Sequence, residues 1–230
     1  MDMKRAGLKN GHDSPVQKEF AQVAEKYDDK WSFYVKATLQ ETLNRIEVYS
    51  GQRVLDIGCG TGILLETLEK KNPGIILAGV DPTQEMLDIA GRRLSKKVHL
   101  ERSWAEKLPF EAETFDIIIS CNTFHYIREP IVALKEAMRI LKPAGKLVIT
   151  DWCADYITCR ICELFLLIFN EAHFKTYRKR ECYNLLCSSG FNDIKIDRYR
   201  INWLWGMMTA TAIKSMASAF ISLSQLWVAL

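Results

Sequence analysis

The sequence lacks the features that mark several large classes of protein. Its 230 residues carry a formal net charge of only +3, and no basic run with interleaved aromatic residues suggests nucleic-acid binding. The first 15 residues contain no apolar core of the length that a secretory signal needs. The seven cysteines are odd in number and scattered, which favours a reducing compartment over a disulfide framework. We therefore expect a cytoplasmic protein.

The composition that remains suits one folded domain. Hydrophobic residues make up 48% of the chain and charged residues 26%, and neither an internal repeat nor a linker is visible. We expect a mobile N-terminus over residues 1–14, one domain over 15–214 and an uncharged amphipathic tail over 215–230. The tail is too short to span a membrane, which takes about 20 apolar residues. We expect it to dock on the core or form a homodimer, with peripheral membrane contact as an alternative.

Short apolar runs alternate with amphipathic segments between residues 53 and 151. The pattern predicts five strands: RVLDI, IILAGVD, KVHLERS, FDIIIS and KLVITD. The helices between them are ILLETLEKK, TQEMLDIAGRRL with Thr83 as its N-cap, and EPIVALKEAMRIL, and a KPAG turn precedes the last strand. This alternation is typical of an α/β, doubly wound parallel sheet with helices on both faces.

The flanking segments extend this core on both sides. Helical spacing over residues 15–46 predicts two short helices, within an N-terminal helical region 15–50. Residues 152–190 are predicted to hold two lid helices, CRICELFLLIFNEA and RKRECYNLLCSSG, the second ending at Gly190. The segments DIKIDRYRI and MMTATAIK alternate in polarity and predict an antiparallel pair at one sheet edge.

Three glycines after the first predicted strand indicate a ligand site. Gly58 and Gly60 leave room for a ligand against the backbone, at the carboxyl edge of the sheet. A dinucleotide fingerprint would place its third glycine where Ile63 stands. Asp56 and Asp81 end the first two strands, so a ligand with ribose hydroxyls and a positive centre, but no pyrophosphate, suits both acids. S-adenosylmethionine has these features.

Five motifs extend this interpretation to a family. They are VLDIGCGTG, GVDPTQEML, SWAEKLPF, FDIIISCNTFHYI and ALKEAMRILKPAGKLVITD. Their order and spacing resemble class I S-adenosylmethionine-dependent methyltransferases, most closely the branch with the ubiquinone- and menaquinone-biosynthesis enzymes and many small-molecule methyltransferases. The resemblance runs from about Val54 to Asp151 and implies a seven-stranded Rossmann-like sheet with a C-terminal antiparallel hairpin. Ala144 is a mild departure from the family's Pro-Gly-Gly turn.

The resemblance assigns roles to the matching residues. Gly58 and Gly60 would lie under the methionine part and the ribose, Asp56 would hold the amino-acid end, and Asp81 would bind the ribose hydroxyls. Further contacts to the adenine and the methionine chain would come from Pro82, Met86, Trp104, Ala105 and Cys121. From the residues alone, helix capping by Asp81 and ordinary core packing by the apolar members stay open.

The implied reaction needs little from the protein beyond alignment. A sulfonium already activates the methyl group, so we expect direct SN2 displacement that depends mainly on positioning the acceptor and excluding water. A general base is needed only when the acceptor must lose a proton. His125, just beyond the fourth strand, is the best candidate, and His173 in the predicted lid is a weaker one. Structural roles for both stay open.

Aromatic residues are dense in both segments that flank the core. In the family these segments select the acceptor, so we expect a lipophilic or aromatic small molecule covered by a helical lid. The candidate acceptor-binding residues are Tyr27, Trp31, Tyr34, His125, Phe169, His173 and Tyr177. The alternative is that the aromatic side chains merely pack the added helices onto the core.

Other functions stay open beside this one. Cys159 and Cys162 form a C-x-x-C pair, which leaves an arsenite-type methyltransferase as an alternative. No histidine with ligand spacing accompanies the pair, and both cysteines fall on one face of an apolar helix, so we predict no metal site. A catalytically silent protein that binds S-adenosylmethionine is a second alternative. A nicotinamide-dependent oxidoreductase is a third, against which Asp56 and the displaced third glycine count.

Overall fold

The computed structural model of the chain describes residues 14–216. The predicted mobile N-terminus, apart from Ser14, and the predicted tail, apart from its first two residues, lie outside the described residues. The strands are β1 (Arg53–Ile57), β2 (Ile76–Asp81), β3 (His99–Arg102), β4 (Phe115–Cys121), β5 (Leu141–Trp152), β6 (Phe191–Arg200) and β7 (Gly206–Lys214). The helices are α1 (Pro15–Leu43), α2 (Ile63–Lys71), α3 (Gln84–Arg93), α4 (Pro130–Ile140), α5 (Ile157–Phe169) and α6 (Lys179–Ser188), with a short 3₁₀ turn at Phe124–Tyr126.

The seven strands form one sheet in the order β3-β2-β1-β4-β5-β7-β6. The first five strands pair in parallel, whereas β7 is antiparallel to both β5 and β6. This confirms the predicted α/β, doubly wound fold with its C-terminal hairpin. Because parallel strands end at the same edge, the loops after β1, β2 and β4 meet there.

The apolar run in β4 is explained by helices on both faces of the sheet. Ile117 and Ile119 pack into a core with α2 and α3, whereas Ile118, between them in the chain, packs into a core with α4 and α6. Ile118 and Ile119 are both fully buried. Since neighbouring strand residues point to opposite faces, a strand covered on both sides can be apolar at consecutive positions, as at Ile117–Ile119.

The prediction of two short N-terminal helices is wrong, because residues 15–43 form the single helix α1. Ser14 and Gln17 form a capping box, and Pro15 occupies the first turn, where its missing N–H costs nothing. No glycine or proline follows within the helix to stop it. The polar residues in its middle suggest a break in the sequence pattern, but in the structure they continue the helix.

Three local predictions need correction. Thr83 stands at the N-cap of α3, but its hydroxyl makes no capping bond; instead its backbone N–H donates to Asp81. The predicted KPAG turn lies inside β5, where Ala144 has a positive φ of 62° and the pairing with β4 shifts register. The helix α6 is not part of a lid, because Cys182 and Leu186 bury it against the sheet. Its end at Gly190, with a φ of 92°, is as predicted.

Within the described residues, no helix has both the length and the apolar character needed to cross a membrane.

Candidate active site

A cavity lies at the carboxyl ends of β1, β2 and β4. It holds about 1010 Å³ of empty space, counting the part open to solvent. The nine residues predicted to contact a cofactor all line it: Asp56, Gly58, Gly60, Asp81, Pro82, Met86, Trp104, Ala105 and Cys121. One stripe of α1 forms the opposite wall, with Val16, Phe20, Tyr27, Val35 and Leu39. The sequence-predicted residues are therefore brought together in one place.

The glycine loop after β1 is held close to β2. The N–H groups of Gly58 and Cys59 both donate to the carbonyl of Val80, at 2.8 and 3.0 Å. Gly58 has a φ of 73°, and a Cβ there would come within 2.3 Å of the Thr123 side chain. Gly60 has a φ of 51°, and a Cβ there would meet nothing within 4 Å. Gly58 thus permits close packing, whereas Gly60 borders open cavity space.

Asp56 is a buried acid with a carboxylate oxygen that no other described residue contacts through a hydrogen bond. Among the described residues, no hydrogen bond reaches its Oδ1 atom. Burial, and secondarily the negative charge of Asp81, raise the pKa of Asp56 to about 8. Buried polar atoms are nearly always hydrogen-bonded, so an orphaned carboxylate oxygen beside a cavity fits a ligand that brings a positive charge or a donor.

Asp81 is buried as well, but it organises the backbone around it. Its Oδ2 accepts from the Gly60 N–H and its Oδ1 accepts from the Thr83 N–H, both at 2.9 Å. Burial raises the pKa of Asp81 to about 6, although these N–H donors act in the opposite direction. One carboxylate therefore joins the glycine loop to the turn that opens α3, and its remaining lone pairs can accept from a ligand.

Polar contacts tie α1 to the loops beneath it. Asp28 accepts from the Thr61 hydroxyl at 2.7 Å and pairs with Arg93, whose guanidinium also donates to the Thr61 carbonyl at 2.6 Å. In the first turn of α1, the Gln17 side chain donates to the Pro82 carbonyl at 2.8 Å. The helix is thus fixed to the loops after β1 and β2, and it closes the cavity from above.

A buried histidine–aspartate pair lies next to the cavity. His125 Nδ1 is 2.7 Å from Asp151 Oδ1, and the His125 backbone N–H donates to Asp151 Oδ2 at 2.9 Å. A carboxylate can only accept, so Nδ1 carries the proton and Nε2 keeps its lone pair. The imidazole also stacks on Trp152, with ring centroids 5.4 Å apart, and contacts Tyr126, which lines the cavity. The pair holds His125 in one orientation and one tautomer.

His173 lies beside this pair in the loop after α5. The side chain is buried, and neither ring nitrogen has a hydrogen-bond partner among the described residues. Burial, and secondarily the neighbouring His125 ring with its centroid 5.5 Å away, lower the pKa of His173 to about 4. The N–H groups of Phe174 and Lys175 both donate to the His125 carbonyl, so this loop folds over the pair.

The other predicted acceptor residues divide into three groups. Tyr27 lines the cavity. Three more pack among aromatic side chains beside the cavity: Tyr34, Trp31 and Tyr177. The Tyr34 hydroxyl donates to Asn122 Oδ1 at 2.7 Å and accepts from the Trp152 indole N–H at 2.6 Å. Trp31 lies against Tyr34, and Tyr177 lies against Phe124. Phe169 is 69% exposed on α5, and the structure does not bring it to the site.

Sequence reasoning missed several residues of this region. Asp151 ends β5 just as Asp56 ends β1, so the same signal, an acid at the carboxyl end of a parallel strand, could have found it. Trp152 follows it directly. Asn122 and Thr123 carried no such signal, because their positions depend on the positive φ of 59° at Asn122 and on contacts distant in sequence.

All seven cysteines lie within the described residues and are free thiols. Cys159 is buried, and its sulfur lies 3.2 Å from the carbonyl oxygen of Gly206. Within residues 14–216, no group of three or more His, Cys, Asp or Glu side chains is placed to hold a metal ion. Cys159 thus packs the first turn of α5 against the start of β7.

Comparisons with known proteins agree with this geometry. Residues 55–149 match the family model described as a methyltransferase domain. The chain is 32% identical over 112 residues to the uncharacterized methyltransferase YdaC of Bacillus subtilis, covering 48% of this chain and 62% of that protein. It is 32% identical over 142 residues to a demethylmenaquinone methyltransferase of Lactobacillus johnsonii, covering 57% and 58%. The chain thus spans less than two thirds of the length of these relatives.

Solved structures share the fold at low sequence identity. A SAM-dependent methyltransferase of Thermotoga maritima matches with a TM-score of 0.72 and 24% identity, over 87% of this chain and all of that one. A phosphoethanolamine N-methyltransferase of Haemonchus contortus, solved in complex with S-adenosyl-L-methionine, matches with a TM-score of 0.68 and 17% identity, over 85% and 60%.

Proposed function

Because the chain carries a methyltransferase domain and has the class I fold of the S-adenosylmethionine-dependent methyltransferases, we propose that it methylates a small-molecule acceptor. The observation that carries this proposal is the cavity itself, where two buried acids at neighbouring strand ends surround a glycine loop. S-adenosylmethionine is the proposed cofactor and S-adenosylhomocysteine the product.

The residues present fit this cofactor on two independent grounds. The orphaned Oδ1 of Asp56 suits the ammonium group of the methionine part, and the open space beside Gly60 leaves room for a ligand against the backbone. Asp81 would accept the ribose hydroxyls with the lone pairs that Gly60 and Thr83 leave free. An acid at the end of β1 would repel a pyrophosphate, which argues against a dinucleotide in the same cavity.

The contribution of the chain to the reaction is positioning and proton transfer. When bound, S-adenosylmethionine supplies a methyl group that its sulfonium has already activated. The protein has to align the acceptor, exclude water and take up a proton if the acceptor carries one. Asp151 accepts the Nδ1–H of His125, which would leave the Nε2 lone pair available as a general base and would stabilise the imidazolium after proton uptake.

The acceptor we propose is lipophilic or aromatic. Rings surround the pair: Tyr126 and Trp152 lie against His125, and Tyr34 lies against Trp152. His173 stays uncharged near neutral pH because of its lowered pKa, and either ring nitrogen, both without a partner among the described residues, could bond to a polar group on an otherwise apolar molecule. A charged acceptor would lose its hydration here without a compensating ion.

Isothermal titration calorimetry with S-adenosylmethionine, S-adenosylhomocysteine and NADH tests the cofactor, with Asp56→Asn as the site variant. Release of S-adenosylhomocysteine over a panel of phenols, hydroquinones, amines and charged acceptors then tests transfer. We expect binding of both adenosyl ligands and turnover of apolar, proton-bearing acceptors. Binding without turnover of any of them would favour the catalytically silent alternative, and preference for charged acceptors would contradict the acceptor class.

A further inference from the structure

The helix α5 exposes an unusually apolar surface. Seven of its side chains are each between 54% and 69% exposed: Ile157, Ile161, Leu164, Phe165, Leu167, Ile168 and Phe169. Ile157, Ile161, Leu164 and Ile168 follow the three- and four-residue spacing of one helix face. We call this set of seven side chains the α5 face. Seven such side chains on one helix exceed the scattered apolar exposure that is normal for a protein surface, and contiguous exposed apolar patches usually mark interaction sites.

Little of α5 is needed to hold the domain together. Cys159 is its only buried residue, and the sulfur of Cys159 contacts the backbone of Gly206 at the start of β7. The helix therefore stands away from the sheet, attached mainly by its first turn and by the loop that follows it. Packing of the described core does not explain why the outer side is apolar.

Cations border this apolar surface. Arg160 is exposed on the same helix, and Lys179 and Arg180 are exposed at the start of α6. None of these three makes an ion pair among the described residues. Trp203 is 78% exposed. It lies near the start of α5, since Arg200 donates to the Trp203 carbonyl and stacks on Tyr156, the residue that precedes α5. Tryptophan and basic residues next to an apolar helix face are the composition of interfacial membrane helices.

The acids of this region are mostly engaged by the protein. Glu163 accepts from the Thr176 N–H at 2.8 Å, Glu181 pairs with Lys175 at 2.8 Å, and Asp155 pairs with Arg198 at 3.2 Å. Glu171 is the exposed acid that remains near the end of α5. The free charge around the α5 face is therefore predominantly positive, which complements an anionic surface.

We infer that the α5 face docks on an anionic lipid bilayer, with its apolar side chains in the boundary between headgroups and acyl chains and Arg160, Lys179 and Arg180 at the lipid phosphates. This surface is distinct from the cavity that would bind the cofactor. The loop after α5 folds over His125. If the proposed function is correct, docking of α5 would therefore bring the acceptor-binding region around His125 close to a bilayer that holds a lipophilic acceptor.

Two other occupants fit the structure less well. A symmetric dimer through the α5 face would bring the same cations of both copies together, because such an interface pairs identical patches. A segment after Met216 would have to run back along the whole of β7 to cover the α5 face, because Lys214 is about 26 Å along the strand from Gly206, the residue that contacts α5.

Vesicle flotation with the full-length protein tests the inference. The probes are vesicles of phosphatidylcholine alone and of phosphatidylcholine mixed with phosphatidylglycerol. We expect at least tenfold tighter binding to the anionic vesicles, weakened by salt. Ile161→Gln with Ile168→Gln should abolish binding, and Lys179→Gln with Arg180→Gln should remove about tenfold or more of the anionic preference. Ile76→Gln, at an exposed apolar residue of β2, is the matched control and should bind normally.

These variants change exposed side chains, and a retained thermal unfolding transition confirms that they fold. Failure of the wild-type protein to bind anionic vesicles, or binding that survives both double substitutions, would overturn the inference. Light scattering that shows a dimer dissociated by Ile161→Gln with Ile168→Gln, without vesicle binding, would assign the α5 face to self-association instead. Affinity for S-adenosylmethionine, measured in parallel, reports on the proposed function separately, because vesicle binding requires no cofactor.

Discussion

His125 Nδ1 and Asp151 Oδ1 lie 2.7 Å apart with both side chains buried, so the carboxylate determines which ring nitrogen keeps its lone pair. The two residues are 26 positions apart in the chain and come from the loop after β4 and the end of β5, which are neighbours in the sheet. In the function we propose, Asp151 positions His125, and His125 is the group that would meet the acceptor.

Replacing Asp151 with Asn should slow methylation of a proton-bearing acceptor, because the amide no longer favours the Nδ1–H tautomer or stabilises the imidazolium. We expect kcat to fall by roughly 10²–10⁴-fold, with the affinity for S-adenosylmethionine unchanged. A thioether acceptor, which carries no proton, is the control and should be methylated at the wild-type rate. An equal loss for both acceptors would show a merely structural role.

Binding of S-adenosylmethionine should strengthen as the pH rises towards about 8. The pKa of Asp56 is raised to about 8 in the free protein, and only the ionised acid can pair with an ammonium group. Below that pH, binding must displace a proton, which costs roughly tenfold in affinity per pH unit. Calorimetry in buffers of different ionisation enthalpy measures both the affinity and the proton release. Asp56→Asn should bind weakly with a flat profile; a steep profile in this variant would contradict the assignment.

The same acid should lower the stability of the free protein at higher pH. An acid whose pKa rises from 3.8 to about 8 on folding holds a proton that the unfolded chain releases. Its contribution to stability is therefore fully present below pH 3.8 and is lost as the pH rises to about 8. The Tm of Asp56→Asn relative to wild type should increase across this window, on the order of 10 °C. Differential scanning fluorimetry over a pH series checks this, and a constant difference would refute it.

The glycines of the loop should respond differently to a methyl group. Gly58→Ala places its Cβ within 2.3 Å of Thr123 and should lower the Tm strongly. Gly60→Ala meets no atom within 4 Å, so its fold should survive while the methyl group occupies cavity space and weakens S-adenosylmethionine binding. Gly51→Ala is the matched control, because Gly51 also has a positive φ, 84°, and open space around it but does not line the cavity. Equal affinity for S-adenosylmethionine in Gly60→Ala and Gly51→Ala would disprove the claim that the ligand lies against Gly60.

Much of this molecule can be predicted from local sequence patterns. Strand ends in a parallel sheet converge, so the pattern of strands alone places Asp56, Asp81 and the glycine loop together. The ILLETLEKK segment is predicted with its correct bounds, because a glycine precedes it and its apolar spacing is regular. These features depend on residues near one another in sequence.

The rest depends on tertiary contacts that local patterns do not contain. The sequence pattern does not reveal the continuity of α1, because Asp28 in its polar middle accepts a hydrogen bond from Thr61 rather than ending the helix. Phe169 was predicted to bind the acceptor from its aromatic character, but its direction follows from which side of α5 carries Cys159. The role proposed for Asp151 depends on its contact with His125, which lies 26 positions away in the chain.

The central claim is that Asp56, Asp81 and the glycine loop form a site for S-adenosylmethionine. Titration of the purified full-length chain with S-adenosylmethionine and, separately, with NADH at a pH of about 8, where Asp56 ionises, tests it most directly. We predict saturable binding of S-adenosylmethionine that Asp81→Ala abolishes, and no binding of NADH. Tight binding of NADH with no response to S-adenosylmethionine would contradict the claim.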